Sequence, residues 1–354
     1  SLAIRKWAAI AVAFLAACSQ SSPRVKPAPS PAIVSHSPPA PVPAAELVLS
    51  TAPWTLDADP GTVITTANYK IFTTSTKTSI VENIPPFMES AIAHYTSALG
   101  ELPHPDAAME IYLLGTRPQW ERMTRRLMGE QAETYLRIPK GGFSYDGRAI
   151  LYDIGRRDTF TITAHEGWHV YTQRTFRNSL PVWLEEGVST YMEGFRWDTA
   201  SAERPTFLPW ANFERFDQLR WGVRSEKLMS LDALTKSTPQ QLIAGDPDAA
   251  LFYYAQVWGL VQFLNEGENG IYRDKLRRLI SDAAHGQLVP RIRKELGDRA
   301  ASTYTYRRRG VDIVHLYFGK TPEEMEPQFR AFLDTVVKTG TRQQIYQGKS
   351  PLAP

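Results

Sequence analysis

One cysteine in 354 residues has no partner inside the chain, so no intrachain disulfide can staple the fold. Net charge is nearly absent as well: 40 basic side chains against 37 acidic ones leave +3. No basic stripe interleaved with aromatics stands out, which argues against a nucleic-acid partner. The short run Tyr306-Arg307-Arg308-Arg309 reads as a solvated face. The one marked apolar run near the start, Trp7 to Ala17, is too short to span a bilayer comfortably. No internal repeat is visible. What remains is ordinary globular composition, 43% hydrophobic and 22% charged, in a chain long enough for one large domain or two intimately packed lobes.

Arg5 and Lys6 precede that apolar run, which ends in Leu15-Ala16-Ala17-Cys18 and then Ser19. A charged start, a short apolar stretch and small residues read as a secretory signal over 1–17. A leucine and two small residues before the sole cysteine resemble the lipobox of bacterial lipoproteins. The resemblance implies lipidation of Cys18, attachment to a membrane and a place in the bacterial cell envelope. By similarity to Gram-negative sorting, Ser19 implies an outer membrane anchor with the protein facing the periplasm. The stretch after it, "SQSSPRVKPAPSPAIVSHSPPAPVPAA", is too rich in proline, serine and alanine to bury a core, so 18–48 is expected to be a flexible tether.

Between 49 and 195 strands alternate with helices. "YKIFTTS" from Tyr69 and "MEIYLLG" from Met109 read as strands, a helix is expected from about Pro118 to Leu127, and "KGGFSYDGRAILYDIG" reads as a glycine-opened hairpin with its second strand over Ala149 to Ile154. From 196 to 345 the pattern is mainly helical. Tyr253, Val257, Leu260 and Leu264 recur at helical spacing, and Thr321, Pro322 and Glu324 form a capping box. The expected fold class is α+β: an α/β lobe, then a mainly helical lobe, with 346–354 as a tail.

The chemistry concentrates in "TAHEGWHVYTQRTFRNSLPVWLEEGVSTYME", residues 163 to 193. Asp158 can cap a helix over about Thr159 to Gln173. Phe160, Ala164, Trp168 and Tyr171 form its apolar face, while His165 and His169 stand one turn apart on another. Imidazoles at i and i+4 can reach one zinc ion together, and Glu166 lies where it can accept a proton from water. A second helix starting at Pro181 brings acidic residues back; Glu186 and Glu193, two turns apart, share a face, so one can ligate while the other holds a histidine, and Glu185, about 100° away around the same helix, is expected to do neither.

His165-Glu166-Gly167-Trp168-His169 followed by Trp183-Leu184-Glu185-Glu186-Gly187 resembles the gluzincin metallopeptidases, the group of thermolysin and of aminopeptidases whose second motif reads Trp-Leu-Asn-Glu-Gly. The stretch from about Tyr69 to Phe332, with Tyr254-Ala255-Gln256-Val257-Trp258, is similar to the peptidase-MA-like families of bacterial envelope proteins. The resemblance implies a zincin-like (thermolysin-like) fold and one zinc ion held by His165, His169 and Glu186. It also implies Glu166 as general base, Glu193 behind a ligand, Glu185 in the asparagine position, and a peptide or protein substrate. A tyrosine often stabilises the oxyanion in this group. Tyr253 lies on the apolar stripe and reads as core before catalysis; Tyr254, off that stripe, is the candidate, with simple packing as its alternative. The aminopeptidases' Gly-x-Met-Glu-Asn stretch is missing from the hairpin, which speaks against amine-anchored exopeptidase action. The rival readings are a non-catalytic envelope lipoprotein that uses the fold for binding and a zinc amidase acting on a non-peptide substrate.

Overall fold

The computed structural model describes residues 47–352 apart from 139, 198–203, 246 and 310–311. The signal, Cys18 and nearly all of the expected tether lie outside the described residues. No helix among those described is long and apolar enough to cross a membrane.

The fold is mixed α+β, built on a six-stranded mixed sheet in the order β1-β2-β3-β4-β6-β5. Its strands are β1 (Ser50–Leu56), β2 (Asp59–Thr65), β3 (Tyr69–Thr73), β4 (Met109–Leu114), β5 (Gly142–Tyr145) and β6 (Arg148–Tyr152). The pairs β3/β4 and β4/β6 are parallel, aligning Ile71 with Ile111 and Ile111 with Ala149. The outer pairs are antiparallel. The β1–β2 hairpin has no counterpart in the sequence reading. Pro53, Pro60 and Gly61 weaken its strand signal, and the edge position of β1 is where a proline costs no ladder bond. The expected β5–β6 hairpin is present, turning through Asp146 and Gly147, both at positive φ as a type I′ turn requires.

Helix α1 (Ile84–Tyr95) packs on one face of the sheet and α2 (Arg117–Met128) on the other. A small cluster around Trp120, Phe143 and Ile150 sits under α2. The main core runs without interruption from Ile64 in the sheet to Ile345 near the end of the chain, so sheet and helices share one interior.

Helix α3 (Arg156–Thr175) carries the histidines. It begins earlier than expected: Gly155 is the N-cap, there is no side-chain cap, and Asp158 lies inside the first turn. Asp153 draws the start back, accepting a hydrogen bond from the Gly155 N–H at 2.9 Å. Helix α4 (Val182–Met192) follows, with Pro181 as its N-cap rather than its first residue. Every residue of α4 is buried. Short strands β7 (Phe195–Arg196) and β8 (Thr206–Phe207) lead to α5 (Phe213–Arg224) and α6 (Pro247–Glu266). Beyond them lie α7 (Asp298–Arg307), α8 (Pro322–Val336) and α9 (Thr341–Tyr346). The capping box of α8 forms as read, from Thr321 and Glu324.

The glycines of both sequence motifs have packing reasons. A Cβ on Gly167 would stand 2.7 Å from the Tyr95 hydroxyl, which donates to the Ala164 carbonyl at 2.6 Å and pins α1 to α3. A Cβ on Gly187 would stand 2.8 Å from the Val257 carbonyl, so α4 lies flush against α6 only because that position has no side chain.

Candidate metal centre

His165 and His169, one turn apart on α3, set their rings 5.0 Å apart, and Glu186 reaches them from α4. Glu186 Oε2 lies 3.6 Å from Nε2 of each histidine. One ligand atom from each of the three side chains lies within 4.8 Å of the others. At 3.6 Å these contacts are too long to be hydrogen bonds. They match the edge of a tetrahedron of N and O donors about 2.1 Å from a central ion, roughly 3.4 Å. This buried group can therefore hold a metal ion.

The imidazoles are turned toward that point by carboxylates on their far sides. His165 Nδ1 is 2.8 Å from Glu193 Oε1, and His169 Nδ1 is 3.0 Å from Glu185 Oε1. Each pairing puts the ring proton on Nδ1 and leaves the Nε2 lone pair facing the centre. Glu193 ends α4 as its C-cap and also accepts from Asn212 Nδ2 at 2.8 Å and from Arg215 Nε and Nη2 at 3.0 and 2.9 Å. Glu185 accepts from Thr172 Oγ1 at 2.7 Å and has Arg308 Nη2 at 3.7 Å. Ser189 Oγ, 3.2 Å from His165 Nε2, also donates to the Glu186 carbonyl at 2.8 Å.

Two expectations fail here. Glu185, read as pointing about 100° away from the site, instead holds His169, because α4 crosses α3 closely enough for neighbouring glutamates to straddle one imidazole. Arg308 is no solvated side chain: its side chain is 16% exposed, it donates to the Leu180 carbonyl at 2.8 Å, and it turns inward to Glu185, whereas Tyr306 beside it is 82% exposed. Neither role could be read locally, and the contributions of Asn212, Arg215 and Ser189 were likewise missed. For Ser189 a signal existed, since it lies on the Glu186–Glu193 face of the helix.

The electrostatics call for positive charge. Burial would raise the Glu186 carboxyl, but the two histidines outweigh it and pull the pKa to about 2. Burial would lower both histidines, yet the surrounding glutamates raise them, His169 most strongly. Four carboxylates, from Glu166, Glu185, Glu186 and Glu193, face two guanidiniums, Arg215 and Arg308. The carboxylates outnumber the guanidiniums, so the centre favours positive charge, which the raised histidines reflect and which a cation held by Glu186 and the two rings would supply. Both Glu186 carboxylate oxygens and His169 Nε2 are buried without a hydrogen-bond partner among the described residues, as expected of atoms that serve as ligands.

Glu166 differs from its neighbours. Both of its carboxylate oxygens are buried without a hydrogen-bond partner, and burial raises its pKa despite the two histidines. Ser144, on edge strand β5, is close enough to oppose that rise slightly but forms no hydrogen bond of ordinary geometry with it. The Tyr254 ring lies 6.0 Å from the His165 ring, edge to face, with the Arg215 guanidinium 5.3 Å from the Tyr254 ring centroid. Burial holds its phenol far above the ordinary range, so it stays a proton donor. Tyr253 packs against it at 5.7 Å in the same interior. No family model, curated protein or solved structure matches the chain.

Proposed function

We propose that the protein is a zinc-dependent hydrolase, most directly a metallopeptidase of the gluzincin kind, with a zincin-like arrangement in its sheet-bearing part. The observation that supports this is the buried, hydrogen-bond-free Glu166 carboxylate beside the His165, His169 and Glu186 triangle. The donor set of two imidazoles and one carboxylate suits zinc and leaves one position open for chemistry. Zinc held there supplies a Lewis acid that polarises a carbonyl and acidifies water.

The chain's own residues then divide the work. Glu166, made more basic by burial, takes a proton from the attacking water and returns it to the leaving amine nitrogen as the C–N bond breaks. Tyr254 donates a hydrogen bond to the oxygen on which negative charge develops. Glu193 and Glu185 keep the histidine rings in one tautomer and one orientation throughout. Edge strand β5, packed beside α3, is suited to pair with an extended peptide.

His165, Glu166, His169, Glu186 and Tyr254 are each at most 2% exposed, so a substrate must displace something to reach them. That closure favours the second reading, a non-catalytic binding protein. An amidase acting on a non-peptide substrate shares the chemistry of the first. We further propose attachment to the envelope membrane through lipid on Cys18, which incorporation of labelled fatty acid into wild type but not Cys18→Ser would establish.

The deciding experiment is peptide-library digestion with and without chelator, alongside zinc content. Glu166→Gln should keep the zinc and lose at least about a hundredfold in turnover. Wild-type turnover in that variant, or no turnover in any form, leaves the binding reading in place.

A further inference from the structure

A second feature lies at the other end of the histidine helix, about 14 Å along the axis from His165 by helical rise. There Arg156 and Arg157 of α3, Arg196 of β7, Trp197, Phe213 of α5 and Tyr346 of α9 line a cavity of about 340 Å³. Each guanidinium rests against an aromatic ring: Arg156 is 5.1 Å from Trp197, Arg157 is 3.6 Å from Phe213 and Arg196 is 5.6 Å from Tyr346, measured to the ring centroids. Stacking uses the flat face of a guanidinium and leaves its in-plane N–H groups for a planar oxyanion. Arg196 spends one of these on the Tyr346 carbonyl, at 3.1 Å.

None of the three arginines makes an ion pair among the described residues. Asp158 and Glu214 are near enough to attract Arg157 electrostatically but do not bridge it. Among the described residues three cations at one cavity against two nearby acids leave an excess of positive charge, and the first turn of α3 behind them has no side-chain cap. Arg156 and Arg157 are largely exposed and reach the solvent from their aromatic contacts. Nothing in the proposed hydrolysis uses them.

We propose that this pocket is a binding site for an aromatic carboxylate, with the carboxylate on the guanidinium edges and the ring among Trp197, Phe213 and Tyr346. The volume sits at the small end of ligand pockets, roughly 300–1,000 Å³, and suits one ring and its acid group. The ligand is either a small free acid or the C-terminus of a peptide ending in an aromatic residue; the recognised chemistry is the same. This site does not depend on the metal centre's function.

The test is calorimetric titration of the full chain with N-acetylphenylalanine, its neutral amide, and acetate. The acid should bind saturably and at least about tenfold more tightly than either control, the difference one charge-assisted contact supplies. Arg157→Gln and Arg156→Gln should each weaken it about tenfold, and Trp197→Ala should weaken it as well, while zinc content stays at the wild-type level. A pentapeptide ending in phenylalanine with a free carboxylate separates the sources. Binding as tight as that of the small acid assigns peptide C-termini, and exclusion of the peptide while the small acid binds assigns a free acid. Equal binding of the amide, equal binding of acetate, wild-type affinity in both arginine variants, or no saturable binding overturns the proposal.

Discussion

The two histidines are held by the same device built in two strengths. Behind His165, Glu193 is clasped by Asn212 and by the Nε–Nη2 edge of Arg215, all at 2.8 to 3.0 Å and all at most 4% exposed. Behind His169, Glu185 has one hydroxyl at 2.7 Å and a guanidinium at 3.7 Å whose side chain is 16% exposed. The first arm is a closed ionic network in which each member depends on the others. The second is a hydrogen bond with a more distant counterion, on a side chain that is partly exposed. Identical contacts at the ligand therefore need not carry equal consequences when their supports are removed.

The largest test of that contrast is Arg215→Met. It strands Glu193 as a buried charge and should destabilise the protein by about 3–5 kcal/mol in denaturant unfolding. Adding Glu193→Gln to it should recover part of the loss; strict additivity would mean the network is not a unit. Next comes Glu193→Gln alone, which should weaken zinc binding by up to about a hundredfold in chelator competition. Glu185→Gln, with the same contact to its histidine but fewer supports, should weaken it nearer tenfold. If Glu185→Gln leaves zinc affinity untouched, the second arm is not a support for His169. The smallest effect belongs to Arg308→Gln, which leaves the Thr172 hydrogen bond on Glu185 in place and should destabilise the protein less than Arg215→Met and change zinc affinity only a fewfold. A loss equal to that of Arg215→Met would erase the distinction between the arms.

What the sequence could disclose follows from distance along the chain. His165, Glu166 and His169 were legible because a helix places i and i+4 on one face with no help from elsewhere. The strands Tyr69–Thr73, Met109–Leu114 and Arg148–Tyr152 were legible from short β-rich runs ended by glycine or turns. Assigning Glu186 rather than Glu193 to the centre needed the motif resemblance, since two turns of helix put both on one face. Glu185 was misread because helical geometry on its own sends it about 100° aside, and only the closeness of α3 and α4 brings it back. Arg215 and Arg308 left no local signal at all; each is positioned by helices that pack from far away in sequence. The Arg156, Arg157 and Arg196 cavity was invisible for the same reason, being assembled from four separate elements.

The Arg308 contact with Glu185 spans 123 positions, while the Arg215 clasp on Glu193 spans 22. A chain emerging in order from its N-terminus presents both histidines and Glu186 long before Arg308 exists. The Arg215 arm can close as soon as residue 215 is present, whereas the Arg308 contact waits for nearly the whole chain, so the stronger arm is also the one that can be completed first.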